Sequence, residues 1–228
     1  LAVKGARVLQ MGAGFIGCII MEALAARGVQ LTVVEMGDRM VPRMMGPTAG
    51  GMIKDWCETK GVRVHTGTKV EAIEQDGEGL RVRAGGQTLA ADMVLLALGV
   101  RPNVALAQAA GIQLGASGAI AVDEQQRTNL PQVYAAGDCA EAYHRVLKQP
   151  VFIPLGTTAN KQGKVAGANA AGAQERFSGI VGTAGFKVFD LEVARTGVGA
   201  ADIERHGLTV ISAVSHHNSR GHHYPGAA

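Results

Sequence analysis

The sequence predicts an α/β chain that opens with a parallel sheet and carries a β-meander. Three observations lead there. Arg7–Met11, Phe15–Arg27 and Val29–Glu35 read as strand, helix and strand, with a glycine-rich loop at 12–17. Three short alternating runs follow, Val70–Glu74, Leu80–Ala84 and Gln87–Ala90, separated by Asp76-Gly77 and Gly85-Gly86, the dipeptides of tight hairpin turns. Asp92–Leu98 is then an apolar return strand ending at Gly99.

Each element has a local reason. The first helix rests on Ile16, Ile19, Ile20, Ala23 and Leu24, which share a face at helical spacing. Gly28 follows Arg27 where a glycine cap and a basic residue suit a helix C-terminus. Pro47–Lys60 reads as a second helix, with proline where the missing N–H costs nothing and Gly61 closing it before the strand Val62–His65. These pieces make one unit over 1–105. Residues 106–177 differ: after a short helix Ala105–Ala110 come strands Ala119–Val122 and Val133–Ala136 and a long alanine- and glycine-rich helix Pro154–Ala171. From 178 to 228 the pattern returns to strands, Phe186–Phe189, Glu192–Thr196 and Thr209–Val214. It begins at Leu1 and stops at Ala228 just after a strand has begun to be paired, so the chain reads as a piece of a longer protein.

Composition narrows the function classes. With 47% apolar and 18% charged residues in 228, the chain is globular rather than disordered. A net charge of +3 without a basic cluster argues against a nucleic-acid partner. The 32 glycines follow no period, which points to tight turns rather than low complexity. No apolar run spans a bilayer, so no membrane partner is expected. Cys18, Cys57 and Cys139 are odd in number and far apart. They read as small core residues in a reducing, cytoplasmic setting. His216, His217, His222 and His223 lack the i, i+4 spacing of a zinc helix, and no metal is expected.

Chemistry begins at Gly12-Ala13-Gly14-Phe15-Ile16-Gly17, a G-x-G-x-x-G run between a strand and a helix. Gly12 allows the tight turn, Gly14 lets the backbone approach a pyrophosphate, and Gly17 lets helix and strand pack closely. Eighteen residues past Gly17, Glu35 ends the second strand. A carboxylate there accepts hydrogen bonds from the adenine-ribose hydroxyls and repels a 2′-phosphate, which favours NAD over NADP. This predicts a Rossmann-like, NADH-binding unit; the plainer alternative is a tight turn beside an ordinary surface glutamate. A second informative stretch runs from Thr128 to Gly137-Asp138, placing Asp138 at the carboxyl end of a strand. There it either accepts hydroxyl hydrogen bonds from a polyol or caps a following helix through Ala140-Glu141.

Together these motifs resemble the pyridine nucleotide-disulfide oxidoreductase family, most closely its single-cysteine branch of NADH oxidases, NADH peroxidases and coenzyme A-disulfide reductases. The resemblance covers essentially the whole chain. It includes Ala97-Leu98-Gly99-Val100-Arg101-Pro102-Asn103, Ile153-Pro154-Leu155 with Ala159-Asn160-Lys161-Gln162-Gly163, and Phe186-Lys187-Val188-Phe189-Asp190-Leu191. It implies an NAD domain over 1–105, the C-terminal part of an FAD domain over 106–177 and the start of an α+β dimerisation domain over 178–228. It also implies FAD in the full-length protein, a homodimer and a small-molecule redox substrate. By position, Gly99 and Ile16 join the NAD site, Gly137 and Asp138 meet the flavin's ribityl chain, and Ala159 lies near the isoalloxazine ring. Phe15 takes the place of an aromatic gate over the flavin, and Tyr224 lies in the segment that reaches the partner's active site.

Three departures accompany the resemblance. The first flavin-binding glycine motif and the redox cysteine are not in this chain; Ile19 stands where the family often has a nicotinamide-contacting Glu; and His223 precedes Tyr224 where two tyrosines are common. The expected function is hydride transfer from NADH to flavin and on to a disulfide, peroxide or dioxygen. The alternatives are a non-catalytic NAD-binding module and an NADH dehydrogenase that reduces a carrier or quinone.

Overall fold

A computed structural model describes residues 2–217. It opens β1 (Arg7–Met11), α1 (Phe15–Ala25), β2 (Gln30–Val34), α2 (Pro47–Thr59) and β3 (Arg63–His65). The meander β4 (Val70–Asp76), β5 (Gly79–Ala84) and β6 (Gln87–Ala91) follows, then β7 (Met93–Leu96). The sheet order β3-β2-β1-β7 is parallel throughout, and β4-β5-β6 is antiparallel.

Alternation along the central strands explains the layering. Val8 and Val33 point to one face, where Cys18, Met21 and Leu24 of α1 and Ile53 and Cys57 of α2 cover them. Their neighbours Leu9 and Val34 point to the other, against Val82, Ala84 and Ala91 of the meander. A sheet covered on both faces needs strands that are apolar at successive positions, and these are. Arg7 and Asp92 clasp the starts of β1 and β7 through side-chain and backbone bonds (Arg7 N–H to Asp92 Oδ2, 2.7 Å). That partnership draws the Asp92 carboxyl down to about 2.

The buried face of α1 differs from the expected stripe. Gly17, Cys18, Met21 and Leu24 face inward, while Ile16 and Ile19 are about half exposed, at 49% and 46%. The helix is apolar nearly all round, so periodicity does not select a side. Close approach to the sheet does, and it favours the small Gly17 and Cys18.

Beyond residue 100 the chain is more irregular. After α3 (Ala105–Ala109), the expected strands Ala119–Val122 and Val133–Ala136 are only isolated bridges, Leu114–Ile120, Ile120–Ala140 and Arg127–Tyr134, around a small core of Ile120, Ala135 and Ala140. Apolar residues there are buried, but no continuous ladder pairs their backbone. A hairpin absent from the sequence reading, β8 (Ala142–His144) with β9 (Gln149–Val151), precedes α4 (Gly156–Ala170). β10 (Ala184–Val188) and β11 (Leu191–Arg195) form a second hairpin, and α5 (Ala200–Arg205) follows. Phe186 and Val188 of β10 enter the core on the α1 side, which joins the later segment to the first unit. The expected strand Thr209–Val214 has no ladder, and Val210, Ile211 and Val214 are exposed. Without a partner to bury one face, its alternation is not enough to make a strand.

His144 of β8 is 1% exposed, and its Nδ1 accepts the Leu147 N–H at 3.2 Å. Burial lowers its pKa below the ordinary 6.5; Asp202 opposes this and Arg195 reinforces it. A histidine held neutral contributes stability that is present above its unfolded pKa and is lost as pH falls below it. The denaturant midpoint is therefore expected to fall between pH 7 and 5. Replacing His144 by Gln should flatten that slope in the same titration, and an unchanged slope would remove the assignment.

Candidate functional site

The glycine loop is shaped by contacts that leave no room for side chains at two of its three glycines. Gly12 has φ +97°, and a Cβ there would collide with the Ala97 carbonyl oxygen. At Gly17 a Cβ would lie 2.6 Å from the Gly12 oxygen and 2.8 Å from Gln10 Nε2. Gly14 is different: a Cβ there meets nothing within 4 Å, so its vacancy faces open space rather than protein. Gly14 is also the N-cap of α1, with no side-chain cap and no acidic residue in the first turn. The helix therefore starts with unpaired N–H donors and a positive dipole end directed at that space.

Glu35, just past β2, is drawn to this loop. Its Oε2 accepts the Ala13 N–H at 2.7 Å and its Oε1 accepts the Gly37 N–H at 2.7 Å. Each oxygen keeps a further lone pair for a ligand hydroxyl. Gln10, 0% exposed on β1, donates from Nε2 to the Gly12 carbonyl at 2.9 Å and so fixes the start of the turn. Phe15, the first residue of α1, packs edge-to-face on Phe186 with ring centroids 5.3 Å apart. Gly99, with φ +91°, follows β7 in the loop that touches Gly12 through Ala97, and Arg43 Nη1 would be 3.7 Å from a Cβ there.

A second constellation forms around α4. Gly137 has φ +85° and sits against Ala159, with 3.5 Å between a Cβ placed on Gly137 and the Ala159 Cβ. Gln162 is 0% exposed; its Oε1 accepts the Gly137 N–H at 3.0 Å, and its Nε2 donates to the Glu141 carbonyl at 2.9 Å. Asn169, two turns further along the same face, donates to the Gln125 and Glu175 carbonyls and accepts the Glu175 N–H. No helix follows Asp138. The chain turns and enters β8 instead, so the helix-capping reading fails. The Asp138 carboxylate is exposed and accepts no hydrogen bond among the described residues. A cleft of about 410 Å³ is lined by Arg43, Val100, Arg101, Pro102, Ser117, Gly118 and Phe152, and none of the predicted site residues is among them.

The structure thus gathers Gly12, Gly14, Phe15, Ile16, Gly17, Glu35 and Gly99 in one place and Gly137, Asp138 and Ala159 in another. Tyr224, His222 and His223 lie outside the described residues. Gln10, Arg43, Gln162 and Asn169 were not singled out from sequence. A polar amide in an otherwise apolar strand at Gln10, and amides at 162 and 169 on one face of a helix, are the signals that mark them.

These features match a known family. Residues 1–174 match the pyridine nucleotide-disulphide oxidoreductase family. The chain belongs to that family. The NADH oxidase of Methanocaldococcus jannaschii is 34% identical over 220 residues, 96% of this chain and 49% of the relative. The NAD(P)H coenzyme A polysulfide/persulfide reductase of Pyrococcus horikoshii is 34% identical over 227 residues, 98% of this chain and 50% of the relative. Among solved structures, the NAD-dependent persulfide reductase of A. fulgidus has a TM-score of 0.93 at 39% identity, covering 98% of this chain and 42% of that one. The water-forming NADH oxidase of Lactobacillus brevis bound to NADH has a TM-score of 0.91 at 26% identity, covering 99% and 50%. The chain spans about half the length of the curated relatives it matches.

The cysteines take no part in either constellation's donor set. Cys18 and Cys57 are fully buried. Burial, with smaller contributions from Cys57 and Glu35, pushes the Cys18 thiol up to about 12. Burial, with Glu58 adding, pushes Cys57 up to about 11. A thiol that stays protonated is a poor nucleophile. Iodoacetamide at pH 8 should leave both unlabelled in the native chain and label both after denaturation; mass spectrometry of native digests showing either one modified would contradict this. Among the described residues no helix is long and apolar enough to cross a membrane.

Proposed function

We propose that this chain is the NADH-binding part, with the adjoining flavin-facing part, of an FAD-dependent NADH oxidoreductase that passes hydride from NADH to flavin and on to a disulfide, peroxide or dioxygen. The observation that carries the reading is the open space at Gly14, set at the uncapped start of α1 with the anchored Glu35 carboxylate beside it. A pyrophosphate fits the first feature and a ribose diol fits the second. The relatives named as NADH oxidases and persulfide reductases support a nicotinamide cofactor and this class of reaction, and a solved relative named as FAD-dependent supports the flavin.

In this reading residues 1–105 hold NADH, 106–177 complete the flavin side, and 178–228 begin a dimerisation unit. Flavin, when bound, supplies the hydride and electron chemistry. The residues of this chain position its partners. The N–H groups at the start of α1 take the pyrophosphate, and Glu35 takes the adenine-ribose hydroxyls. Gly137, held by Gln162, offers backbone at the start of α4, and the free Asp138 carboxylate suits a polyol. Phe15 stands at the N-terminus of α1 as the aromatic screen between the two nucleotides, and Ile16 and Gly99 complete the wall. Ile19, half exposed on the same helix, gives the nicotinamide end an apolar neighbour instead of a carboxylate. Homodimerisation and a cytoplasmic location complete the reading.

Two substitutions separate a ligand role from a folding role. Gly14→Ala should keep the wild-type melting temperature and weaken NADH at least tenfold in a fluorescence titration. Gly17→Ala should cost about 1–3 kcal/mol of stability, because its Cβ overpacks the helix–strand contact. If Gly14→Ala binds NADH as well as wild type, the pyrophosphate placement is wrong. Full reaction is tested by joining the chain to its upstream sequence and following NADH oxidation.

The preference for NADH rests on charge. Replacing Glu35 by Gln should weaken NADH about tenfold to a hundredfold, as expected for a lost charged hydrogen bond of about 1.5–3 kcal/mol, and should narrow the gap to NADPH. Equal affinity of the wild-type chain for both cofactors would refute this role.

A further inference from the structure

We propose that the hairpin β10–β11 is part of the nucleotide site, with Phe186 and Arg195 as positioning residues that fix the glycine loop for NADH. This rests on the reading of the loop given above and carries the site beyond the first unit, across some 150 residues of sequence to the C-terminal segment.

Phe186 acts at the start of α1. It is buried, and its ring meets Phe15 edge-to-face with centroids 5.3 Å apart and planes at 74°, a favoured aromatic geometry. Phe15 is the first residue of α1, and the N–H groups left unpaired at the helix start begin with its own. The ring pair therefore holds the residue from which those donors project.

Arg195 acts on the other flank. Its Nη1 donates to the Arg43 carbonyl at 3.2 Å and the Met44 carbonyl at 3.3 Å, and Arg39 Nε donates to the next carbonyl, Met45, at 2.9 Å. These carbonyls end a tight turn in which the Met44 and Met45 N–H groups both bond to the Val41 carbonyl. Val41 itself is buried with φ +50°, a strained conformation for a β-branched residue that persists only where its surroundings hold it. What this conformation achieves is on the page: the Val41 N–H donates to the Ala13 carbonyl at 2.8 Å. Ala13 is the residue whose own N–H goes to Glu35. The peptide from Ala13 to Phe15 is thus gripped by Glu35, by the Val41 turn and by Phe186, and the hairpin supplies or braces two of the three holds.

Contacts that end on donor-bearing backbone do more than add stability. A loop already held in its bound shape loses little freedom when the ligand arrives, and a small displacement of its donors weakens every bond to the pyrophosphate at once. Exposed hairpin contacts that do not reach the loop, such as Lys187 with Glu22 on α1, carry no such role.

The test is NADH titration of the whole chain, read by energy transfer from Trp56, its one tryptophan, beside amide hydrogen exchange of the ligand-free protein. Phe186→Leu and Arg195→Met should each weaken NADH about tenfold, the scale set by misplaced positioning groups. Arg195→Lys, which keeps a charged donor, should recover most of that loss, and Lys187→Ala should bind as wild type does. In both weakened variants exchange should rise at 12–17 and 41–45 and stay unchanged in the meander β4–β6, which a general loss of stability would not spare. Wild-type affinity in both variants overturns the proposal, and so does exchange that rises equally in the meander. A wild-type chain that binds no NADH would instead remove the glycine-loop reading on which this one rests.

Discussion

The first unit depends on one close approach, the start of α1 pressed against the end of β1. With glycine at 17, the helix comes so near that a single added methyl would collide with the Gly12 carbonyl and the Gln10 amide. That contact determines where the helix axis points and therefore where its unpaired N–H groups are aimed. The Gln10 side chain then holds the Gly12 carbonyl, and Glu35 holds the Ala13 N–H. The loop between them has little freedom left. Its shape is set before any ligand arrives, so the entropy of ordering it is not charged to binding.

How much of this was legible in the sequence depended on where the information lay. The glycine run, Glu35, the hairpin dipeptides and the proline-started α2 are local signals, and the structure places them as the sequence suggests. The inner face of α1 is not legible in its pattern, because Ile16 and Ile19 look like core residues by composition, while the buried side is chosen by the small residues that permit contact with the sheet. The segments 119–122 and 133–136 differ from strands for a related reason. Their apolar residues are buried, but a strand is defined by the partner that completes its ladder, and that is a non-local property. The β8–β9 hairpin carries no Asn-Gly or Asp-Gly turn and left no such mark. For Asp138, the sequence allowed a helix cap or a ligand carboxylate with equal reason; the absence of a following helix removed the first.

The candidate sites show a division of labour between backbone and side chain. In the first, most ligand-directed groups are backbone N–H donors, and side chains such as Gln10 and Glu35 hold that backbone in place. In the second, buried Gln162 does the same for Gly137. The Gln162 amide is satisfied by main-chain partners at both ends, so removing it leaves a buried donor and acceptor unpaired and costs more than the bonds themselves contribute. Residues of this kind are hard to find from sequence because their role is visible only once the loop they hold is folded.

An uncapped helix start is not by itself a mark of a binding site. The helices α1, α2 and α4 all lack a side-chain cap and an acidic first turn. What separates them is the company each N-terminus keeps. In α2 the first turn carries Pro47, which removes one unpaired donor outright, and Gly50 is crowded by the Met40 carbonyl. In α1 the space before the helix is open at Gly14 and a carboxylate stands ready for hydroxyls. In α4 the first turn carries two threonines and no proline, and Ala159 lies against Gly137. The same backbone feature therefore has three different consequences, and it is the neighbouring side chains that decide between a ligand and mere solvent.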